Sequence, residues 1–394
     1  MARIFNINNS ASSFLSWLML VLFIGLASCS ESDISSLKLK AVYNGTVFEC
    51  NIWDVVPGEF GQELGQTIIG GKDYIYFLNR DSEIILLDRK GVADTLQITP
   101  EIQRRVGFMP GEVMGYCVAM NHIWIGSPVS DSIYKMSLDL ISVEAFHNGF
   151  VNDREDEGVF KSVGLLSSKR HEIVNCNGNL ILPIYQHFEA AEKRDQVPNN
   201  YTTIGCFGAS EAKLELKEEI AVLPQVYYDE NMYFNSSSYC LKGDSLIVHY
   251  PYSDSIDIYS KAGLINRKEL KCSKSNSVKS LKGLSLDIMA VKEHVLMHPR
   301  YVETIYDPYR NLYYRTYLVE VINEEGKISP HEKWILGVYD SQFRLAEELE
   351  FTAKDFSVNG VFVFPEGLLI RDFRSFDKED PGKSQFELIS WEYE

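Results

Sequence analysis

The sequence is short of positive charge. Lys and Arg number 38 against 55 Asp and Glu, for a formal net charge of −17. Nucleic acid demands a basic footprint, so it is excluded as a partner, and electrostatic attraction to anionic lipid is disfavoured on the same ground. The acidic residues are dispersed rather than blocked, which describes a solvated surface and names no partner. Catalytic signatures are missing as well: the chain has no P-loop, no G-x-S-x-G and no H-E-x-x-H. Its seven cysteines include no C-x-x-C, so neither a zinc knuckle nor a thioredoxin-type centre is supported. No cofactor or metal is implied. Helical pattern is absent too. The best window, "LKGLSLDIMAVKEHV" (281–295), is broken by Gly283 and has no caps. What remains is an all-β chain.

Apolar length is concentrated at one place. "FLSWLMLVLFIGLA", Phe14 to Ala27, follows Arg3 and at about 1.5 Å per residue falls short of a bilayer core. That is a signal peptide, residues 1–28. It runs into Leu26-Ala27-Ser28-Cys29, which resembles the bacterial lipobox, and Cys29 is then the lipidated first residue of the mature chain. A plain secretory signal with a coincidental cysteine is the alternative. Residues 29–36, lipidated cysteine plus "SESDISS", are small, polar and acidic and read as a tether. Ser30 after the cysteine resembles lipoproteins sent to the outer membrane. Glu31 and Asp33 loosely resemble the export tags of Bacteroidota surface lipoproteins, so a periplasmic and a cell-surface face both stay open. Of the other cysteines, Cys50, Cys117, Cys176, Cys206, Cys240 and Cys272, the expectation is buried free thiols, with one disulfide as the alternative.

From about residue 40, short runs such as "DYIYFLN", "SEIILLD", "HIWIGS" and "GVFVFP" recur between turns, rich in Ile, Val, Tyr and Phe. Three longer phrases repeat the order strand, polar turn, strand: 70–98, 120–146 and 241–270. Each carries Asp-Ser before its second strand, at Asp81-Ser82, Asp131-Ser132 and Asp254-Ser255. The intervals, one unit and then two, fit a period of roughly 50 to 60 residues, the signature of a β-propeller. Residues 37–394 divided by that period give six blades, or seven short ones. "LKLKAVYNGTVFEC" (37–50) is placed to close the ring with the last blade, and "EKRDQVPNNYTT" (192–203) and "DKEDPGKS" (377–384) are expected as exposed loops. A β-sandwich with appendages is the competing fold and accounts less well for the repeat.

Few stretches suggest chemistry. "HVLMH" (294–298) would pair two histidines on a helix, but in a strand they lie about 13 Å apart, too far for one metal. "NDREDEG" (152–158) lacks the alternating ligands of a calcium loop. "VYYDENMYFNSSSY" holds Tyr227, Tyr228 and Tyr233 among hydrogen-bonding neighbours, as a sugar site would, though tyrosines filling a gap between blades explain it better. "YDPYRNLYYR" (306–315) packs four tyrosines, two arginines and an aspartate. Pro308 marks a turn, so the stretch is a hairpin. Alternation puts Leu312, Tyr314, Thr316 and Leu318 on one face and Tyr313, Arg315, Tyr317 and Val319 on the other. An arginine there must find carbonyls or a carboxylate, and Asp307 is the near candidate.

The same hairpin resembles a stretch of a Bacteroidota lipoprotein family, domain of unknown function 4221. That resemblance implies a lipobox, a mature chain of this length and a propeller-like body, and no reaction. The expectation is therefore a non-catalytic propeller anchored at the outer membrane that binds a glycan, a peptide or an envelope protein. Its candidate contacts are Arg300, Tyr306, Asp307, Arg310, Tyr313 and Arg315, with Tyr227, Tyr228 and Tyr233 as a second group. A polysaccharide hydrolase or lyase would instead need an acidic pair facing the channel, and a scaffold subunit would show flat apolar patches.

Overall fold

The computed structural model describes residues 38–51, 64–79, 81–106, 115–126, 132–148, 159–163, 174–176, 179–188, 197–198, 200–210, 212–232, 237–260, 263–276, 298–322, 328–329, 332–374 and 383–393. The signal segment, Cys29, the tether, Tyr233, "NDREDEG" and most of "HVLMH" lie outside them.

Among the described residues four sheets are four-stranded and antiparallel. A nine-stranded sheet holds two further antiparallel groups of four, joined where Lys213 and Leu214 pair in parallel with His147 and Asn148; these six groups are read as the blades of a β-propeller. Blade I comprises Gly65–Ile69, Lys72–Leu78, Glu83–Asp88 and Gly91–Gln97. Blade II runs from Gly115–Ala119 through His122–Gly126 and Ser132–Ser137 to Val143–Asn148. Blade III takes Val159–Val163, Asn179–Phe188, Thr202–Ser210 and Lys213–Val222. Blade IV takes Ser238–Lys242, Ser245–His249, Ser255–Ser260 and Gly263–Glu269. Blade V is Arg300–Asp307, Leu312–Leu318, Lys333–Tyr339 and Leu345–Thr352. Blade VI is Phe356–Phe364, Gly367–Asp372 and Lys383–Tyr393, completed by Leu39–Asn51 from the other end of the chain.

That last pairing closes the ring where the sequence placed the closure. Leu39 faces Tyr393 and Asn51 faces Lys383, antiparallel. The register slips between Tyr43 and Thr46, where Gly45 takes φ 74°, a left-handed turn that a bulge needs and glycine supplies freely. In blades I, II, IV, V and VI the first strand lies innermost. First strands of blades I and II, IV and V, and V and VI touch one another, whereas the fourth strands of blades I and IV are mostly exposed.

Two details differ from the sequence reading. The Asp-Ser turns precede the third strand of a blade, not its second, because the short first strand Gly65–Ile69 carries too little pattern to be counted. The spacing survives: Asp81 to Ser132 spans one blade, and Ser132 to Asp254 two. Among the described residues helix also exists, in two pieces shorter than any periodicity window: α1 (Pro100–Val106) and α2 (Gln225–Asp229). The insert at 192–203 is not all exposed loop, since Tyr201, Thr202 and Thr203 are buried at the entry to a blade III strand.

Because each blade is apolar on both faces, the core is a ring of inter-blade layers. Ile75, Phe77 and Leu87 of blade I meet Phe362, Phe364 and Phe386 of blade VI across the closure. Each such side chain contributes roughly 1.5–3 kcal/mol on burial. Tyrosines add polar staples, which explains much of their abundance. Tyr239 and Tyr250 of blade IV and its third-strand turn donate to the carbonyls of Ile181 and Val222 in blade III, each at 2.9 Å. Tyr116 of blade II accepts from the Leu78 N–H of blade I at 3.0 Å. Cys117, Cys206, Cys240 and Cys272 are free thiols, three of them buried.

Candidate functional site

The inner strands end in hairpin turns around one mouth of the channel, and a cavity of about 550 Å³ opens there. Its walls come from the ends of first strands in five blades. Ile68, Val118, Met120, Leu241, Ile305 and Val363 make it largely aliphatic, with Gln66, Asp73, Tyr306 and Tyr309 as its polar edge.

The "DPYRN" turn overhangs this mouth. Asp307 Oδ1 accepts from the backbone N–H groups of Tyr309 (2.9 Å) and Arg310 (3.0 Å), an Asx-type turn that Pro308 pre-sets. Asn311 completes it at φ 54°. Asp307 Oδ2 receives Arg310 Nε at 2.6 Å and the Tyr314 hydroxyl at 2.8 Å. Arg310 then reaches the next blade, donating to the carbonyls of Phe364 (2.8 Å) and Pro365 (2.9 Å). Gly367, whose strand Arg310 reaches, has no room for a side chain: a Cβ there would sit 2.3 Å from the Ile389 carbonyl of the neighbouring strand in the same blade. Tyr309 reaches further, donating its hydroxyl to Asp73 of blade I at 2.6 Å. The turn thus ties three blades together.

Asp73 is the electrostatic focus of the wall. Burial pushes its pKa up, aided by Glu366, and the hydrogen bonds from Tyr309 and Gln66 offset this only in part. Gln66 in turn is clamped to the backbone of Val363, accepting its N–H at 3.0 Å and donating to its carbonyl.

The hairpin alternates as the sequence requires, with one correction. Asp307 is the partner of Arg310, not of Arg315. Arg315 sits five positions further along, on the face packed against blade IV, and is fully buried. It donates to the carbonyls of Ser253 (2.6 Å), Asp254 (2.8 Å) and Leu270 (2.8 Å) and lies 3.5 Å above the Tyr301 ring. Burial lowers its pKa. Tyr313 shares that face, stacked on Phe343 at 4.6 Å. On the opposite face Tyr314 stacks on Trp391 of blade VI and accepts its indole N–H at 2.9 Å.

The candidate residues therefore separate. Tyr306 lines the mouth, and Asp307 and Arg310 brace it. Arg300 begins the same strand and so lies about 23 Å away along it. It lines a smaller cavity of about 260 Å³ between blades IV and V, with Tyr252 and Asp254. Tyr227 and Tyr228 belong to α2 rather than to a loop. Their hydroxyls accept backbone N–H groups from Tyr252 (3.2 Å) and Tyr201 (2.9 Å), and Tyr227 is fully buried. Both act as inter-element staples here. Sequence reasoning missed Gln66, Asp73, Val118 and Ile305. Their shared signal, a position on or just after a blade's first strand, is visible only once blades are phased.

The fold and this mouth define the class: a β-propeller with a pocket at one end of its central channel. Among solved structures the chain is similar to a member of the DUF4221 family from Bacteroides vulgatus, with a TM-score of 0.65 at 17% identity, covering 91% of this chain and 100% of that one. The resemblance drawn from "YDPYRNLYYR" has its counterpart there, in the fold. A luciferin-regenerating enzyme (TM-score 0.40, 10% identity, 87% of this chain and 95% of that) and a streptogramin B lyase (0.36, 11%, 90% and 98%) are looser likenesses and bear on neither activity nor ligand. No family model and no curated protein matches the chain.

Proposed function

We propose that the chain is an outer-membrane lipoprotein, anchored through Cys29, whose propeller binds a ligand at the mouth of its channel without transforming it. The observation that carries the reading is the cavity of about 550 Å³, aliphatic in its walls and edged by a few fixed polar groups, the usual composition of a binding pocket. A glycan, a peptide or a loop of an envelope protein could each enter it. A glycosidase-type pair needs two carboxylates roughly 5–9.5 Å apart. Among the described lining residues the carboxylate is Asp73, already engaged by Tyr309 and Gln66, which favours binding over hydrolysis.

Two measurements test this. Thermal shift against glycan and peptide panels should give ligands that stabilise wild type and fail to stabilise a Val118→Trp variant whose pocket is filled. Ligands that stabilise both equally would move the site elsewhere. Cys29→Ala should release the protein from the membrane fraction, and retention would refute the anchor.

A further inference from the structure

The mouth has a carboxylate in its wall and a cation beside it. Lys242 is the last residue of the first strand of blade IV, between pocket-lining Leu241 and Gly243. Its Nζ stands 5.3 Å from the centre of the Tyr306 ring and 5.0 Å from that of Tyr313, and Tyr306 itself lines the cavity. Among the described residues no carboxylate faces this ammonium, and burial lowers its pKa. The neighbouring cations are committed. Arg310 is held by Asp307 and blade VI carbonyls, Arg315 by blade IV carbonyls, and Arg89 by Glu366. Asp73 stands on blade I, three blades further in chain order round the ring from Lys242.

We propose that the mouth receives the C-terminal end of a peptide, its carboxylate on Lys242 and its last, apolar side chain against Val118 and Ile305. The inference rests on the mouth being the binding site. A carboxylate suits Lys242 because a charge-assisted bond would add to the two ring contacts without displacing any existing ion pair. A peptide suits the walls better than a sugar does. Sugars stack on open aromatic faces, and here the faces are taken: Tyr306 and Tyr313 carry Lys242, and Arg310 lies 5.9 Å from the Tyr309 ring. The open wall is aliphatic, which accepts a side chain such as leucine.

The test uses the full chain in detergent and a panel of tetrapeptides differing in the last residue, each as free acid and as C-terminal amide, titrated calorimetrically. Peptides with an apolar last residue should bind about tenfold or more tighter as the acid. Lys242→Gln should erase that preference and Lys242→Arg keep it. Val118→Trp should abolish binding of both forms, and the milder Ala119→Leu weakens both should the larger substitution not fold. Acid and amide binding equally, and both lost in the filled variants, would overturn the carboxylate assignment while leaving the pocket standing. No peptide binding, together with Lys242-dependent binding of an oligogalacturonate, would overturn the peptide. Peptides that bind wild type and filled variants alike would overturn both the inference and the mouth as the site.

Discussion

Arg310→Met removes the guanidinium that joins blades V and VI while keeping most of the side chain's bulk. Asp307 is fully buried, and its carboxylate would keep the Tyr314 hydroxyl and two backbone N–H groups. Breaking a buried pair from one side costs about 3–5 kcal/mol, and the remaining donors point to the lower end, about 3. The carbonyls of Phe364 and Pro365, near enough to the rim to recover water, add roughly 1 more. Unfolding entropy of about 2.1 cal/mol/K per residue over the body Lys38–Glu394 makes 1 kcal/mol worth a little over 1 °C, so Tm should fall by about 5 °C. Adding Asp307→Asn should recover part of the loss, because the stranded charge is gone. Melting curves and urea titrations of wild type, both single variants and the double variant form the cycle. A fall of less than about 1 °C, or no recovery in the double variant, would refute the clamp.

Arg315→Met should cost less than Arg310→Met although Arg315 is the more deeply buried, since it strands no carboxylate and the Asp254 carbonyl keeps the Leu270 N–H. Urea midpoints in the opposite order would count against this. Asp73 has a raised pKa in the folded state, so its stabilising share is full below the unfolded carboxylate pKa and is lost as pH rises through the folded one. Asp73→Asn should therefore gain on wild type at pH 7 relative to pH 3, and a gain confined to acid would contradict the sign. Cys272 is buried, and burial pushes its thiol up to about 12, so it should resist a disulfide reagent at pH 8 in the native state and react once urea unfolds the chain. Rapid native labelling at Cys272, located by mass spectrometry, would be the failing result.

The propeller was legible in the sequence because it is written in repetition. Strand composition, recurring Asp-Ser turns and an interval divisible into units survive without any three-dimensional knowledge. The phase of the blades was not, since Gly65–Ile69 is too short and too mixed to stand out from the turn beside it. "YDPYRNLYYR" was legible as a hairpin with a partnered arginine inside it, but two arginines and one aspartate left the pairing ambiguous. Three-residue proximity across a tight turn decides for Arg310, whereas Arg315 is carried to another inter-blade layer. The pocket was least legible. The Gln66–Asp73 hairpin, Val118 and Ile305 are distant along the chain and individually ordinary, and only the ring of blades brings them to one rim.

The pairing of Leu39–Asn51 with Lys383–Tyr393 also sets an order of events. The strand that emerges first from synthesis or export has no edge to dock on until the last residues follow. Until then blade VI has three strands, and an unpaired edge waits at each end of the growing arc. Blades can form locally as they appear, but the circle is completed only once Lys383–Tyr393 is available to pair. Contacts at the greatest sequence separation are thus the last to be made, and their loop-closure entropy falls on a single step. A chain ending before residue 383 would hold assembled blades and an open seam.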